Sequence, residues 1–254
     1  MKKLLIGLIL VFPLISIGAP LRVTIDPGHG GEDQGAFHGG IAESSVALQI
    51  AKKVFRKLSK DKKFKAQLIR HSDKEISLED RVANTKKFKP DLFLSIHANA
   101  HPTIKNAKGA EFYIQNQLEV DEEISFLAHN EFGKQAETKP KISGDVDSIV
   151  YDLQKSQRIL ESYQVSSFLR KNWSTGKKKR MIRQGPFFVL TQNEIPAVLV
   201  EVGYLTNAKE RKKLTQKAYQ NRLANQIHRA LKDYAKNMDK LPSGILKPQN
   251  AKTR

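Results

Sequence analysis

Four side chains of this chain have types and settings suited to chemistry: His29, Glu43, His97 and Glu201. His29 stands in Asp26-Pro27-Gly28-His29-Gly30-Gly31, directly after the apolar positions Leu21, Val23 and Ile25. That pattern predicts a buried strand halted by a turn, with an imidazole on an open loop at the strand's end. The neighbouring glycines remove side chains that would cover the ring and allow backbone angles closed to other residues. The plainer alternative is a glycine-rich turn with an incidental histidine. Two other uses of such a loop fail. Asp33 stands where the third glycine of a G-x-G-x-x-G dinucleotide loop belongs. A lipase-type oxyanion loop lacks its G-x-S-x-G serine. A metal remains, and a metal requires partners elsewhere.

The partners follow from position. In Asp91-Leu92-Phe93-Leu94-Ser95-Ile96-His97-Ala98-Asn99 the apolar run predicts a parallel strand buried on both faces, with His97 at its carboxyl end. Ligands of open α/β sheets bind along that edge, so His29 and His97 are expected on one rim. Glu43-Ser44-Ser45 opens a helix whose apolar positions are Val46, Ala47, Ile50, Ala51, Val54, Phe55 and Leu58. Glu43 then lies at a helix N-terminus, where a carboxylate commonly serves only the cap or the dipole. Glu201 interrupts the apolar strand Val198-Leu199-Val200-Glu201-Val202, where an acid is costly unless paired, hydrogen-bonded or near a cation. Two imidazole nitrogens and one carboxylate oxygen form the ligand set of a catalytic zinc with an open fourth position. Glu201 is then a spare acid that could move the proton of an attacking water, which implies amide hydrolysis.

The elements that must position these groups alternate. Phe64 to Ile69 is predicted as a strand, Ser77-Leu78-Glu79-Asp80 as the capping box of a helix running to about Phe88, and Gly109 to Ile114 as another strand. Ser148 to Trp173 has helical spacing, with Ile149, Leu153, Ile159, Leu160, Tyr163, Phe168 and Leu169 as its apolar side. Phe187 to Leu190 and Ala197 to Val202 are predicted as the last strands, and Asn207 as the cap of a final helical region. The fold class expected is α/β: one open, mostly parallel, twisted sheet of about six strands flanked by helices, with a helical insertion.

Residues 1–19 read as a secretory signal peptide: Lys2 and Lys3 precede the apolar run LLIGLILVFPLISIGA, and cleavage is expected after Gly18 or Ala19. The run is short for a retained membrane span. Export with no cysteine leaves stability to a single packed core. The catalytic domain is assigned to 20–240 and a flexible basic tail to 241–254. With 44 Lys+Arg against 26 Asp+Glu, the formal net charge is +18, a surface that favours polyanions or simply keeps the protein soluble. Lys177-Lys178-Lys179-Arg180 is the densest basic loop.

DPGHGG, the glutamate opening the first helix, R-H-S-D…SLEDRV, DLFLSIHAN and PAVLVEVGYLTN together resemble the zinc-dependent N-acetylmuramoyl-L-alanine amidases of the type-3 amidase family. The resemblance covers nearly all of Leu21 to Tyr234. It implies that His29, Glu43 and His97 hold Zn2+ and that Glu201 is the catalytic glutamate. The implied substrate is peptidoglycan, cut between N-acetylmuramic acid and the L-alanine of the stem peptide, in the periplasm or at the cell wall. Ser44 stands where the family usually has a lysine. No wall-targeting domain is expected ahead of this catalytic stretch, and the basic surface is expected to take that role. Arg183 and Gln184 are candidate substrate contacts. The acidic segment 117–145, with Glu119, Glu122, Glu123, Glu131 and Glu137, resembles the lid of relatives in which a helix covers the zinc until an envelope partner at the division site withdraws it. A monomer is expected, with no nucleic acid partner and no stable membrane anchor once the signal is removed. Two other classes compete: a zinc carboxypeptidase acting on stem peptides, and a non-catalytic basic wall or nucleic-acid binder whose binding would fall steeply with salt.

Overall fold

The computed structural model describes residues 19–116, 145–174 and 181–238. In chain order the strands are β1 (Leu21–Pro27), β2 (Phe37–His38), β3 (Ile41–Ala42), β4 (Phe64–Leu68), β5 (Leu92–Asn99), β6 (Glu111–Ile114), β7 (Ile182–Gln184) and β8 (Ala197–Tyr204). The helices are α1 (Glu43–Ser59), α2 (Leu78–Phe88), α3 (Asp145–Asn172), α4 (Phe188–Thr191), α5 (Ala208–Leu214) and α6 (Lys217–Met238). Six strands make one open sheet in the order β4-β1-β5-β8-β6-β7, and β2-β3 form a separate small hairpin. β1 runs parallel to β4 and β5, and β5 parallel to β8. β6 is antiparallel to β8 and parallel to β7. From β1 the chain crosses through α1 to β4 on one side, then through α2 to β5 on the other. Loops leaving the carboxyl ends of β1 and β5 therefore part, opening a crevice of the kind that holds ligands in such sheets.

Alternation along the strands separates core from site. Val23, Ile25, Leu94, Ile96, Phe112 and Val200 point to one face and join a core shared with α1, α3 and α6. The expected apolar positions of α1 from Val46 to Leu58 are buried, Phe55 only partly. Full burial of each large aliphatic side chain contributes ~1.5–3 kcal/mol. The opposite parity carries Phe93, Ala197 and Leu199, which pack with Val189 and Leu190 of α4. That same parity places His97, Glu111 and Glu201 on one face.

The helix starts follow their sequence signals. Ser77 accepts from the Asp80 backbone N–H at 3.1 Å and begins α2. Asn207 accepts from the Lys209 and Glu210 N–H groups and begins α5, and the expected single helical region is two helices.

Three expectations are corrected. Phe187 to Leu190 is no strand: Phe188–Thr191 form the one-turn helix α4, and a sheet strand lies just before it at Ile182–Gln184. A short apolar run carries no period that separates strand from buried helix, and all of Phe188, Val189 and Leu190 are buried. In α3 the buried apolar residues are Ile159, Val165 and Leu169, whereas Ile149, Leu153, Leu160 and Tyr163 are exposed. The helix has two apolar stripes, and the one facing the sheet is the stripe completed by the small Ser162 and Ser166. Finally, the β2-β3 hairpin falls where only loop was expected. The signal segment to residue 18, the insertion from 117 to 144, the basic loop 177–180 and the tail lie outside the described residues. Among the described residues no helix is long and apolar enough to cross a membrane.

Candidate active site

The loop after β1 is held by two buried arginines. Arg70 donates from Nε to the Pro27 carbonyl at 3.0 Å, and from one terminal nitrogen to the Gly28 and Ser44 carbonyls at 2.7 and 2.8 Å. Arg81 pairs with the buried Asp26 and donates to the carbonyls of Pro27 and His29, each at 2.8 Å. Buried carbonyls that lost these donors would carry a desolvation penalty, so the two guanidinium groups fix the loop's path. His29 itself has φ 57, a left-handed conformation uncommon outside glycine. Gly28 is needed for a different reason: a Cβ there would lie 2.2 Å from the His97 ring.

Glu43 is the first residue of α1, but its carboxylate does not cap the helix. Ala42 offers no side-chain cap, and the first N–H groups are satisfied by the preceding loop: Glu43 donates to the Ala36 carbonyl and Ser44 to that of Gln34. The Glu43 carboxylate is thereby free to face the crevice. It accepts from the Ala36 and Ala98 N–H groups at 3.0 and 3.1 Å and meets both histidines. Oε2 lies 3.4 Å from Nε2 of His29, and Oε1 lies 2.9 Å from Nδ1 of His97. Burial opposes its charge, yet the two histidines hold its carboxyl far below the usual carboxylate range. For His29, burial opposes protonation, but the hydrogen bonds and charges of Glu43 and Asp33 outweigh it and raise the pKa.

These three groups fit a metal. One ligand atom from each of His29, Glu43 and His97 lies within 4.8 Å of the others, and ligands about 2 Å from a shared zinc are roughly 3–4 Å apart. Asp33 Oδ2 meets Nδ1 of His29 at 2.8 Å, which leaves Nε2 directed at Glu43. A carboxylate behind the histidine is the usual outer support of a metal ligand.

Glu201 pairs with His97 in the parallel register of β5 and β8, so the two side chains share a face. It is 8% exposed, and its Oε2 has no hydrogen-bond partner among the described residues. Burial, then the charges of Glu43 and Glu111, push its pKa well above the usual carboxylate value. An acid so placed can carry a proton beside a cluster suited to a metal.

Of the remaining candidates, Arg183 lies on β7 beside Tyr113 and reaches Glu111 at 2.7 Å, on the face of Glu201. Gln184 is exposed, and as the next residue it falls on the opposite face. Ser44 is buried rather than open to substrate. Reading the sequence for ligands overlooked Asp33, Arg70, Arg81 and Glu111. Arg70 and Arg81 do stand inside the R-H-S-D…SLEDRV stretch, and an arginine on either side of a turn was the available signal.

An α/β sheet with two histidines and a glutamate converging at its carboxyl edge, and a buried acid beside them, has the arrangement that metal-assisted hydrolysis would need. Comparison narrows this. The chain belongs to the Amidase_3 family, N-acetylmuramoyl-L-alanine amidase, whose model matches residues 23–233. It is 31% identical over 220 residues to the N-acetylmuramoyl-L-alanine amidase AmiC of Escherichia coli O6:H1, an alignment covering 85% of this chain and 53% of that protein. A putative N-acetylmuramoyl-L-alanine amidase of Buchnera aphidicola is 33% identical over 226 residues, covering 84% of this chain and 94% of the relative. The chain thus spans about half the length of the AmiC relative. Among solved structures, the amidase AmiC2 of Nostoc punctiforme superposes with a TM-score of 0.64 at 28% identity, covering 85% of this chain and 97% of that one. The catalytic domain of CwlV from Paenibacillus polymyxa gives 0.59 at 28% identity, covering 85% and 98%.

Proposed function

We propose that this chain is a zinc-dependent peptidoglycan amidase that cleaves the bond between N-acetylmuramic acid and L-alanine. The observation that carries the reading is the convergence of His29, Glu43 and His97 with Glu201 at His97's register position. The three ligands would hold zinc, which lowers the pKa of a water to about 7 and polarises the amide carbonyl. Glu43 contributes the negative charge of the ligand set, and its two backbone N–H bonds keep it in place. Glu201 accepts the proton of the attacking water and returns it to the leaving nitrogen, and its raised affinity for a proton suits both halves of that transfer.

Secretion to the periplasm or cell wall rests on the sequence of residues 1–19. Control by an envelope partner rests on the sequence of the acidic segment 117–145, and replacing that segment with a Gly/Ser linker should speed wall digestion if it is inhibitory. The deciding experiment for the activity is mass analysis of purified peptidoglycan digested by the protein, with and without a chelator. An amidase releases intact stem peptides and stops on chelation. Shortened stem peptides would identify a carboxypeptidase, and retention on the wall without any product a binding protein.

A further inference from the structure

Glu111 and Glu201 are Cα partners in the antiparallel pairing of β6 and β8, so two nearly buried carboxylates stand side by side on the face of the site. Their surroundings are opposite. Glu111 draws donors from three strands: Asn99 Nδ2 of β5 at 3.3 Å, the Tyr113 hydroxyl of β6 at 2.8 Å and Arg183 of β7 at 2.7 Å. A carboxylate offers about four acceptor sites, and here three donors engage them. Burial and the negative charge of Glu111 push the Tyr204 hydroxyl nearby up to about 12. Glu111 holds others in place.

Among the groups it holds, Arg183 is 48% exposed. A guanidinium has five N–H donors in a rigid fork, and the pairing with Glu111 leaves part of that fork directed outward. The rim around it is acidic, with Glu43, Glu111 and Glu201 close together. An anionic substrate approaching Glu201 needs a fixed cation there. The stem peptide of peptidoglycan carries carboxylates. We propose that Glu111 is a positioning residue that locks Arg183 in the orientation that receives a stem-peptide carboxylate next to the scissile amide. This rests on the amidase reading above.

The test uses the zinc-loaded protein, Glu111→Gln, Arg183→Ala and the double variant. Two synthetic muramoyl peptides serve as substrates, one with free carboxylates and one with the same groups amidated. A charge-assisted hydrogen bond is worth about 1.5–3 kcal/mol, so each single variant should raise KM for the free-carboxylate peptide about tenfold or more; Arg183→Ala should do so with kcat within about twofold, whereas Glu111→Gln also removes a charge beside Glu201 and is read through KM alone. The double variant should be no worse than either single one. On the amidated peptide all four proteins should have similar KM. An unchanged KM in either single variant, a fall in kcat at unchanged KM in Arg183→Ala, additive losses in KM, or equal losses on both peptides would overturn the proposal. Should Glu111→Gln fail to fold, Arg183→Ala still decides, because undiminished discrimination between the two peptides in that variant also overturns it. A parent protein that splits neither peptide fails the amidase reading itself, a result distinct from any of these.

Discussion

The carboxylate of Asp33 meets Nδ1 of His29 at 2.8 Å, while Nε2 of the same ring faces Glu43 at 3.4 Å. Asp33 thereby selects which nitrogen is left for a metal and orients the ring. Loss of such an outer carboxylate typically costs 10–100-fold in metal affinity. Asp33→Ala should keep the fold and weaken zinc binding by about that factor, read by competition with a chromophoric chelator. Unchanged affinity would show that the hydrogen bond is incidental.

Glu201→Gln should retain zinc and lose roughly 10²–10⁴ in rate, the usual contribution of general acid-base catalysis. It should also change stability in a pH-dependent way. The folded-state pKa of Glu201 is raised above its unfolded value, first by burial and then by Glu43 and Glu111. A raised carboxyl binds its proton more tightly when folded, so it costs no stability at low pH and increasing stability as pH rises through the unfolded value of about 4.3. The metal-free Glu201→Gln protein should therefore melt higher than the metal-free parent at pH 7, and the difference should close near pH 4. Equal melting temperatures at pH 7 would contradict the raised pKa.

Gly28→Ala tests how tightly the site is assembled. The added methyl would meet the His97 ring at 2.2 Å, and the ring is tethered at Nδ1 to Glu43. Overpacking of this kind costs typically 1–3 kcal/mol. His97 must yield, so zinc affinity should drop with stability. A fully zinc-loaded Gly28→Ala protein of parental stability would show that the ring has room to move.

Arg81→Ala removes the partner of buried Asp26 together with the donor to the His29 carbonyl. Breaking a buried pair by deleting one partner costs about 3–5 kcal/mol. Denaturant unfolding should show a loss of this order, and zinc content should fall with it. A loss below about 1 kcal/mol would mean that water replaces the guanidinium.

Much of this organisation was legible because it depends on local pattern. An apolar strand ending in glycines locates His29, another ending in His-Ala-Asn locates His97, and a single acid inside an apolar strand marks Glu201. What escaped depends on pairing between distant segments. Glu111 begins a short strand after the polar loop Lys105–Gly109, where an acid reads as solvated; only antiparallel pairing with β8 buries it. Arg70 and Arg81 resemble ordinary surface arginines until β1 is placed beside them. Phe187 to Leu190 was misread because four apolar residues show no period, and Asp33 served only to exclude a dinucleotide loop.

The sheet order sets a sequence of assembly. The three candidate metal ligands lie in the loop after β1, on α1 and on β5, within the first part of the chain, whereas Glu201 comes from β8, which inserts between β5 and β6. A chain whose β8 has not yet joined the sheet would hold all three candidate ligands and lack the acid. The candidate site is thus complete only once the late strand is seated, so any activity that needs Glu201 would wait on it.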